Sequence, residues 1–161
     1  PNLLIFVHGE DWASDLRDYI NNPLNEPNVV YTFHQYYHYA LGNIAGWPYA
    51  AYYRDGNLAT GKVVYEDNLK TRALNIMLVA NKPFFFAEFS IWYLPDPNQD
   101  TYLLDHFDIM RKYGCSWTYF SYISFIGSYS DGCWTLLEVA NWSTLSHGGE
   151  IWRNELLANP S

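Results

Sequence analysis

The stretch Pro83-Phe84-Phe85-Phe86-Ala87-Glu88-Phe89 decides how the rest of this chain is read. It is a short apolar run that opens after a proline and carries one carboxylate near its end, the pattern of a buried strand. An ionisable group in such a strand is costly to desolvate unless something pairs with it or uses it. Strand alternation assigns Phe84, Phe86 and Glu88 to one face and Phe85, Ala87 and Phe89 to the other. A lone carboxylate at the carboxyl end of a buried parallel strand lies where α/β enzymes keep their chemistry. We read Glu88 as functional; the competing reading is a structural Glu in a hydrogen-bonded network.

Three further runs have strand character: residues 3–7, 29–34 and 115–122. Helical spacing fills the gaps between them. Trp12, Leu16 and Tyr19 repeat after the first run, and Leu69, Ala73, Ile76 and Ala80 precede the Phe-rich strand. Leu103, Phe107 and Met110 follow it, with Asp105 and Asp108 early and Arg111 and Lys112 late, as the helix dipole favours. Trp152 and Leu156 mark one more helix near the end. The order βαβαβαβα implies α/β architecture with parallel strands and right-handed crossovers. Residues 1–161 then form one domain, a (βα)4 unit, which is half of a TIM barrel; a complete barrel takes about 250 residues. Two strand edges are left over, the first of them apolar and without charge or proline. Either the sheet stays open in a flavodoxin-like manner or a second copy closes the barrel, and we expect a homodimer.

Between the second and third strands, residues 35–61 form a connection far longer than one helix needs, rich in Gly and aromatics. Loops of that length in a compact domain are usually lids or binding loops, so we expect it over the carboxyl ends of the strands.

Seven Trp, fifteen Tyr and nine Phe make the chain unusually aromatic. Many lie in polar, Gly- and Pro-punctuated segments, such as Trp47-Pro48-Tyr49, and flat faces beside hydroxyls suit sugars. A net charge of -8 with no basic stripe argues against nucleic acid. No apolar run reaches the ~18 residues of a membrane span. Cys115 and Cys133 match no metal motif and either pair once or stay reduced. No cofactor is expected. The chain opens at Pro1, without Met or a signal-peptide pattern, and reads as processed, trimmed or recombinant.

The runs LLIFVHGEDWASDL at 3–16, VVYTFHQYY at 29–37, KPFFFAEFS at 82–90 and YGCSWTYFSY at 113–122 resemble the last four strands of a cellulase-type glycoside hydrolase of family 5, in the (βα)8 clan A. The resemblance covers nearly the whole chain in the family's order, and Lys-Pro-x-x-x-x-Glu-Phe is its most specific piece. It implies that Glu88 is the catalytic nucleophile and that His34 and Tyr36 line the subsite around the scissile bond. The sugar-stacking position on the last strand, usually Trp, falls on Phe120, a smaller platform. Trp12, Trp47 and Trp117 are further candidate sugar contacts. The implied substrate is a β-linked glucan or related polysaccharide, and a secreted location goes with it.

Retaining hydrolysis needs a second carboxyl about 5–5.5 Å from the first. The family's proton donor ends a strand that precedes these four. Asn25-Glu26-Pro27 spells the donor motif but sits in a turn-rich stretch before a strand, and we read it as a loop. Glu10, just past the first strand, is the better candidate, although beside Asp11 it also suits a helix start. A carboxylate from another chain is the third. His8, His34 and Glu88 all end strands, but nothing in their spacing specifies a metal site. Ser90 and Ser121 lack a Gly-x-Ser-x-Gly elbow, which leaves a small-ester hydrolase as a weaker alternative. A sugar-binding remnant without the proton donor is the other.

Overall fold

The apolar runs pair side by side and in parallel. A computed structural model describes residues 3–36, 58–90, 97–119, 145 and 147–158. Its strands are β1 (Ile5–His8), β2 (Val29–Tyr36), β3 (Phe84–Ser90) and β4 (Ser116–Trp117), in the spatial order β1-β2-β3-β4. Every pairing is parallel, so each connection must cross over the sheet. The helical segments are α1 (Glu10–Ala13), α2 (Arg17–Asn21), α3 (Leu58–Leu69), α4 (Asn75–Leu78), α5 (Pro97–Tyr113) and α6 (His147–Ala158), with a π-helical turn at Lys70–Leu74 joining α3 to α4. This is the expected half-barrel arrangement. The loop expected to lid the cleft lies mostly outside the described residues, as does the end of the expected fourth strand.

The core lies between the sheet and the helices. Tyr31, Phe33, Phe84, Phe86 and Phe89 supply the sheet side, and Leu69, Ala73, Leu74, Ile76, Leu103, Phe107 and Met110 the helix side. Full burial of a side chain the size of Leu or Phe contributes about 1.5–3 kcal/mol, so this layer carries most of the fold's stability. Ring contacts lock it edge to face, with Phe33 6.0 Å from Phe86 and Phe89 5.5 Å from Phe107. Ion pairs tie the helices outside it. Lys62 on α3 reaches Asp105 at 3.1 Å and Asp108 at 2.7 Å on α5, and Arg111 on α5 pairs with Glu155 on α6. Burial pushes the Glu66 carboxyl up, but Lys112, Tyr113 and Lys70 outweigh it and bring it down to about 2.

One expectation about β3 fails, and the reason fixes the site. Phe33 pairs with Phe86, but the next residue, His34, pairs with Glu88, so Ala87 is an extra residue in a β-bulge. A bulge shifts the side-chain alternation by one. Phe84, Phe86 and Phe89 therefore share the buried helix side, while Glu88 is only partly buried. Glu88 does not share a face with Phe84 and Phe86.

The helix expected through Trp12, Leu16 and Tyr19 is also broken. Asp11 and Trp12 in α1 have φ/ψ of 52/60° and 53/44°, and Ala13 has φ 64°. These are left-handed values, and for non-Gly residues each costs on the order of 1–3 kcal/mol. The turn folds back so tightly that Glu10 N–H donates to the Asp15 carbonyl at 2.9 Å. At Gly9 a Cβ would lie 1.8 Å from that carbonyl oxygen, so only glycine fits there. Leu16 and Tyr19 still pack on the core, whereas Trp12 is 78% exposed. In α6, Trp152 packs inward as expected, with Ile151 beside it, whereas Leu156 is exposed and does not continue the stripe.

Candidate active site

Three strand ends converge on one spot. His8 closes β1, His34 lies near the end of β2, and Glu88 near the end of β3. Nδ1 of His34 lies 3.4 Å from a carboxylate oxygen of Glu88, and the rings of His8 and His34 meet edge to face at 5.5 Å. Thr32, two residues before His34 and almost fully buried, holds His8 in place: its hydroxyl lies 2.7 Å from His8 Nδ1 and donates to the Val7 carbonyl at 3.3 Å. Thr32 pairs with His8, and strand alternation puts Thr32 and His34 on that same side.

The bulge makes this cluster possible. Without Ala87 as the extra residue, the side chain at Glu88 would follow Phe84 and Phe86 into the apolar layer. With it, the carboxylate is 31% exposed beside a His34 that is 20% exposed. Thr118, just past β4, braces the bulge through a 2.5 Å hydrogen bond from its hydroxyl to the Ala87 carbonyl. Burial pulls His34 below its usual value; the Glu88 charge works against that shift and His8 adds to it. The imidazole beside Glu88 is therefore held toward its neutral form, able to donate or accept a hydrogen bond without neutralising the carboxylate.

The other expected residues fall in different places. Glu10 is exposed in the turn after β1, and that turn walls a cleft of about 740 Å³ together with His8, Asp15 and Tyr19. Glu26 is an exposed loop residue ahead of β2, as expected for a chance match to the donor motif. Trp117 is a correction. Its pairing with Phe86 sets its parity, and it packs on Phe89 at 5.4 Å and Phe107 at 5.5 Å, on the helix side of the sheet. A Trp there fills the core and does not reach the strand-end cluster. Tyr36 ends β2, but its side chain, Trp47 and Phe120 lie outside the described residues. Among the described residues, no group of three or more His, Cys, Asp and Glu is arranged to hold a metal ion, and no helix is long and apolar enough to cross a membrane.

The family model for cellulase, glycosyl hydrolase family 5, matches residues 1–125. The chain belongs to glycosyl hydrolase family 5. The fold of this family 5 chain is similar to that of a hyperthermophilic endocellulase from the archaeon Pyrococcus horikoshii, with a TM-score of 0.72 and 19% identity over 96% of this chain and 42% of that one. A complex of the same endocellulase with cellotetraose gives 0.71 and 18% over 95% and 43%. A β-glucanase from Saccharophagus degradans in complex with cellotetraose gives 0.63 and 18% over 95% and 40%. At such identities the likeness speaks for the fold, and this family 5 chain spans about two-fifths of the length of those solved chains. No curated protein matches it.

Two features of the site were not anticipated from the sequence. One is the Thr32–His8 contact, which parity alone would have suggested. The other is Arg72, a cation only 7% exposed within the apolar stripe of the α3–α4 segment. A lone Arg between Thr71 and Ala73-Leu74 was its signal.

Proposed function

We propose that this chain carries the nucleophile of a retaining hydrolase of β-linked glucans. The observation that carries the reading is the bulged strand end, which brings Glu88 beside a His34 held toward neutrality. In the first step a Glu88 oxygen attacks the anomeric carbon, the glycosidic C–O bond breaks, and the departing oxygen takes a proton from an acid. Water then hydrolyses the glycosyl ester and frees Glu88. His34 and Tyr36 orient the carboxylate and the sugar around the scissile bond; Trp12, Trp47 and Phe120 offer aromatic faces to neighbouring rings. Family membership and the cellotetraose held by two of the similar structures support the substrate class.

For the proton donor there are two candidates: Glu10, by its place just past β1, and a carboxylate from another polypeptide. Activated aryl β-glycosides separate a nucleophile without an acid from a complete pair, because a good leaving group needs little protonation. Turnover of aryl cellobiosides with none on cello-oligosaccharides identifies a surviving nucleophile and a missing acid. No turnover on either, with cellotetraose still bound, supports the second reading, a sugar-binding module.

A second copy of the chain closes the barrel in this reading. Leu3 and Leu4 just before β1, and Ile5 and Phe6 in it, are exposed at the edge of the sheet. An apolar, unpaired edge of this kind templates association, and a closed barrel removes it. Light scattering is expected to give twice 18.8 kDa; a concentration-independent mass of 18.8 kDa rejects the closed dimer. Closure would set the two Glu88 residues four strands apart around the ring.

A further inference from the structure

The left-handed turn at Asp11–Ala13 is held from one direction by a single buried cation. The guanidinium of Arg72 donates to the Ser14 carbonyl and, at 3.2 Å, to Asn68, and stacks over the Phe33 ring at 5.2 Å. Its backbone carbonyl accepts from Leu16 N–H at 2.8 Å, so Arg72 grips the chain on both sides of Asp15. Arg17 in turn donates from Nε and Nη2 to one carboxylate oxygen of Asp15, at 2.8 and 2.5 Å. The guanidinium reaches this position because of the π-helical turn. One extra residue per turn advances a helix face by about 100°, and Arg72, Ala73 and Leu74 are all buried in succession. A regular helix would carry only part of that run inward.

What the clamp holds up is Trp12. The indole is exposed at the carboxyl end of β1, on the same turn that walls the cleft beside His8. Backbone in this conformation persists only where its surroundings over-determine it. We propose that Arg72 is a positioning residue, which fixes the left-handed turn so that Trp12 stands as a rigid platform for one sugar ring at the edge of the active site. The proposal rests on the glucan reading above. It gives the Trp12 face already assigned to a sugar ring a residue that sets it, apart from the strand-end cluster of His34 and Glu88.

The test combines 5-fluorotryptophan labelling with cellotetraose binding. The Trp12 fluorine resonance is assigned by its loss in Trp12→Phe. In Arg72→Met this resonance is expected to shift and narrow toward a mobile indole, with the other resonances largely kept. Cellotetraose affinity is expected to fall roughly tenfold in both Trp12→Ala and Arg72→Met. The double variant should bind no more weakly than Trp12→Ala alone, because both changes remove one interaction. Arg72→Lys should recover part of the loss, since an ammonium can still reach the Ser14 carbonyl. It also serves as the readable variant should Arg72→Met fail to fold. An unmoved Trp12 resonance in folded Arg72→Met, or, should that variant not fold, an unmoved resonance with unchanged affinity in Arg72→Lys, or additive losses in the double variant, overturns the proposal. Absence of any cellotetraose binding by the unaltered protein would instead overturn the glucan reading, while the fluorine signal still decides whether Arg72 positions Trp12.

Discussion

Glu88→Gln is expected to lower turnover of aryl β-glycosides by roughly a thousandfold or more while leaving the thermal unfolding midpoint nearly unchanged. The amide keeps the volume of the side chain and its place on the bulge, but it cannot form the glycosyl ester. A second readout needs no activity at all. The Glu88 charge works to raise His34, against the burial that lowers it, so its removal should move the His34 titration to still lower pH. Proton NMR of the imidazole measures this directly. A folded Glu88→Gln protein with undiminished turnover would end the hydrolase proposal, and an unmoved His34 titration would mean that the 3.4 Å contact does not exist in solution.

The second large effect concerns acid stability and a residue behind the site. His106 on α5 is fully buried among Phe86, Phe89 and Tyr102, with its Nδ1 2.6 Å from the Tyr65 hydroxyl. Among the described residues its Nε2 has no hydrogen-bond partner. Burial takes its pKa down to about 3. The unfolded chain takes up this proton as pH falls through about 6.5, and the folded protein does so only near 3. Stability from this group is therefore complete above 6.5 and is lost as pH falls, by about 1.4 kcal/mol per pH unit. By pH 3 the loss reaches about 5 kcal/mol, the low end of a domain's whole stability. Urea unfolding at successive pH values between 6.5 and 5 should show this slope before the carboxylates join in. His34, also lowered, adds to it in the same sense. In His106→Gln, which keeps a partner for Tyr65, the slope over that window should flatten. Equal slopes in both proteins would refute the account.

The fold was largely legible in the sequence because the apolar runs and the helical stripes have different periods. Leu69, Ala73 and Ile76, and Leu103, Phe107 and Met110, all lie in the core as their spacing implied. Two of the failures share one physical source, a single residue out of phase. The bulge at Ala87 reverses the facing of Glu88, and alternation counted from Phe84 cannot reveal it. The π-helical turn brings Arg72 inward, and a regular helical count places it elsewhere. In α1, no local preference of Asp11, Trp12 or Ala13 announces left-handed backbone; tertiary contacts from Ser14, Leu16 and Arg72 impose it. At the candidate site, strand ends were easy to find, and the choice of Glu88 and His34 as candidates followed from them. The facing of Trp117 did not, because parity along a two-residue strand depends on its neighbour, Phe86.

Cys115 lies immediately before β4, at the end of the connection from α5, with a free and buried thiol. Burial pushes its pKa up to about 12, so almost none of it is thiolate at neutral pH. Alkylating reagents must therefore wait for the α5–β4 connection to open. The rate at which Cys115 is captured, followed on its own peptide by mass to keep it apart from Cys133, becomes a clock for the opening of the last crossover. Measured with and without cellotetraose, it would report whether occupying the strand ends tightens the far side of the sheet.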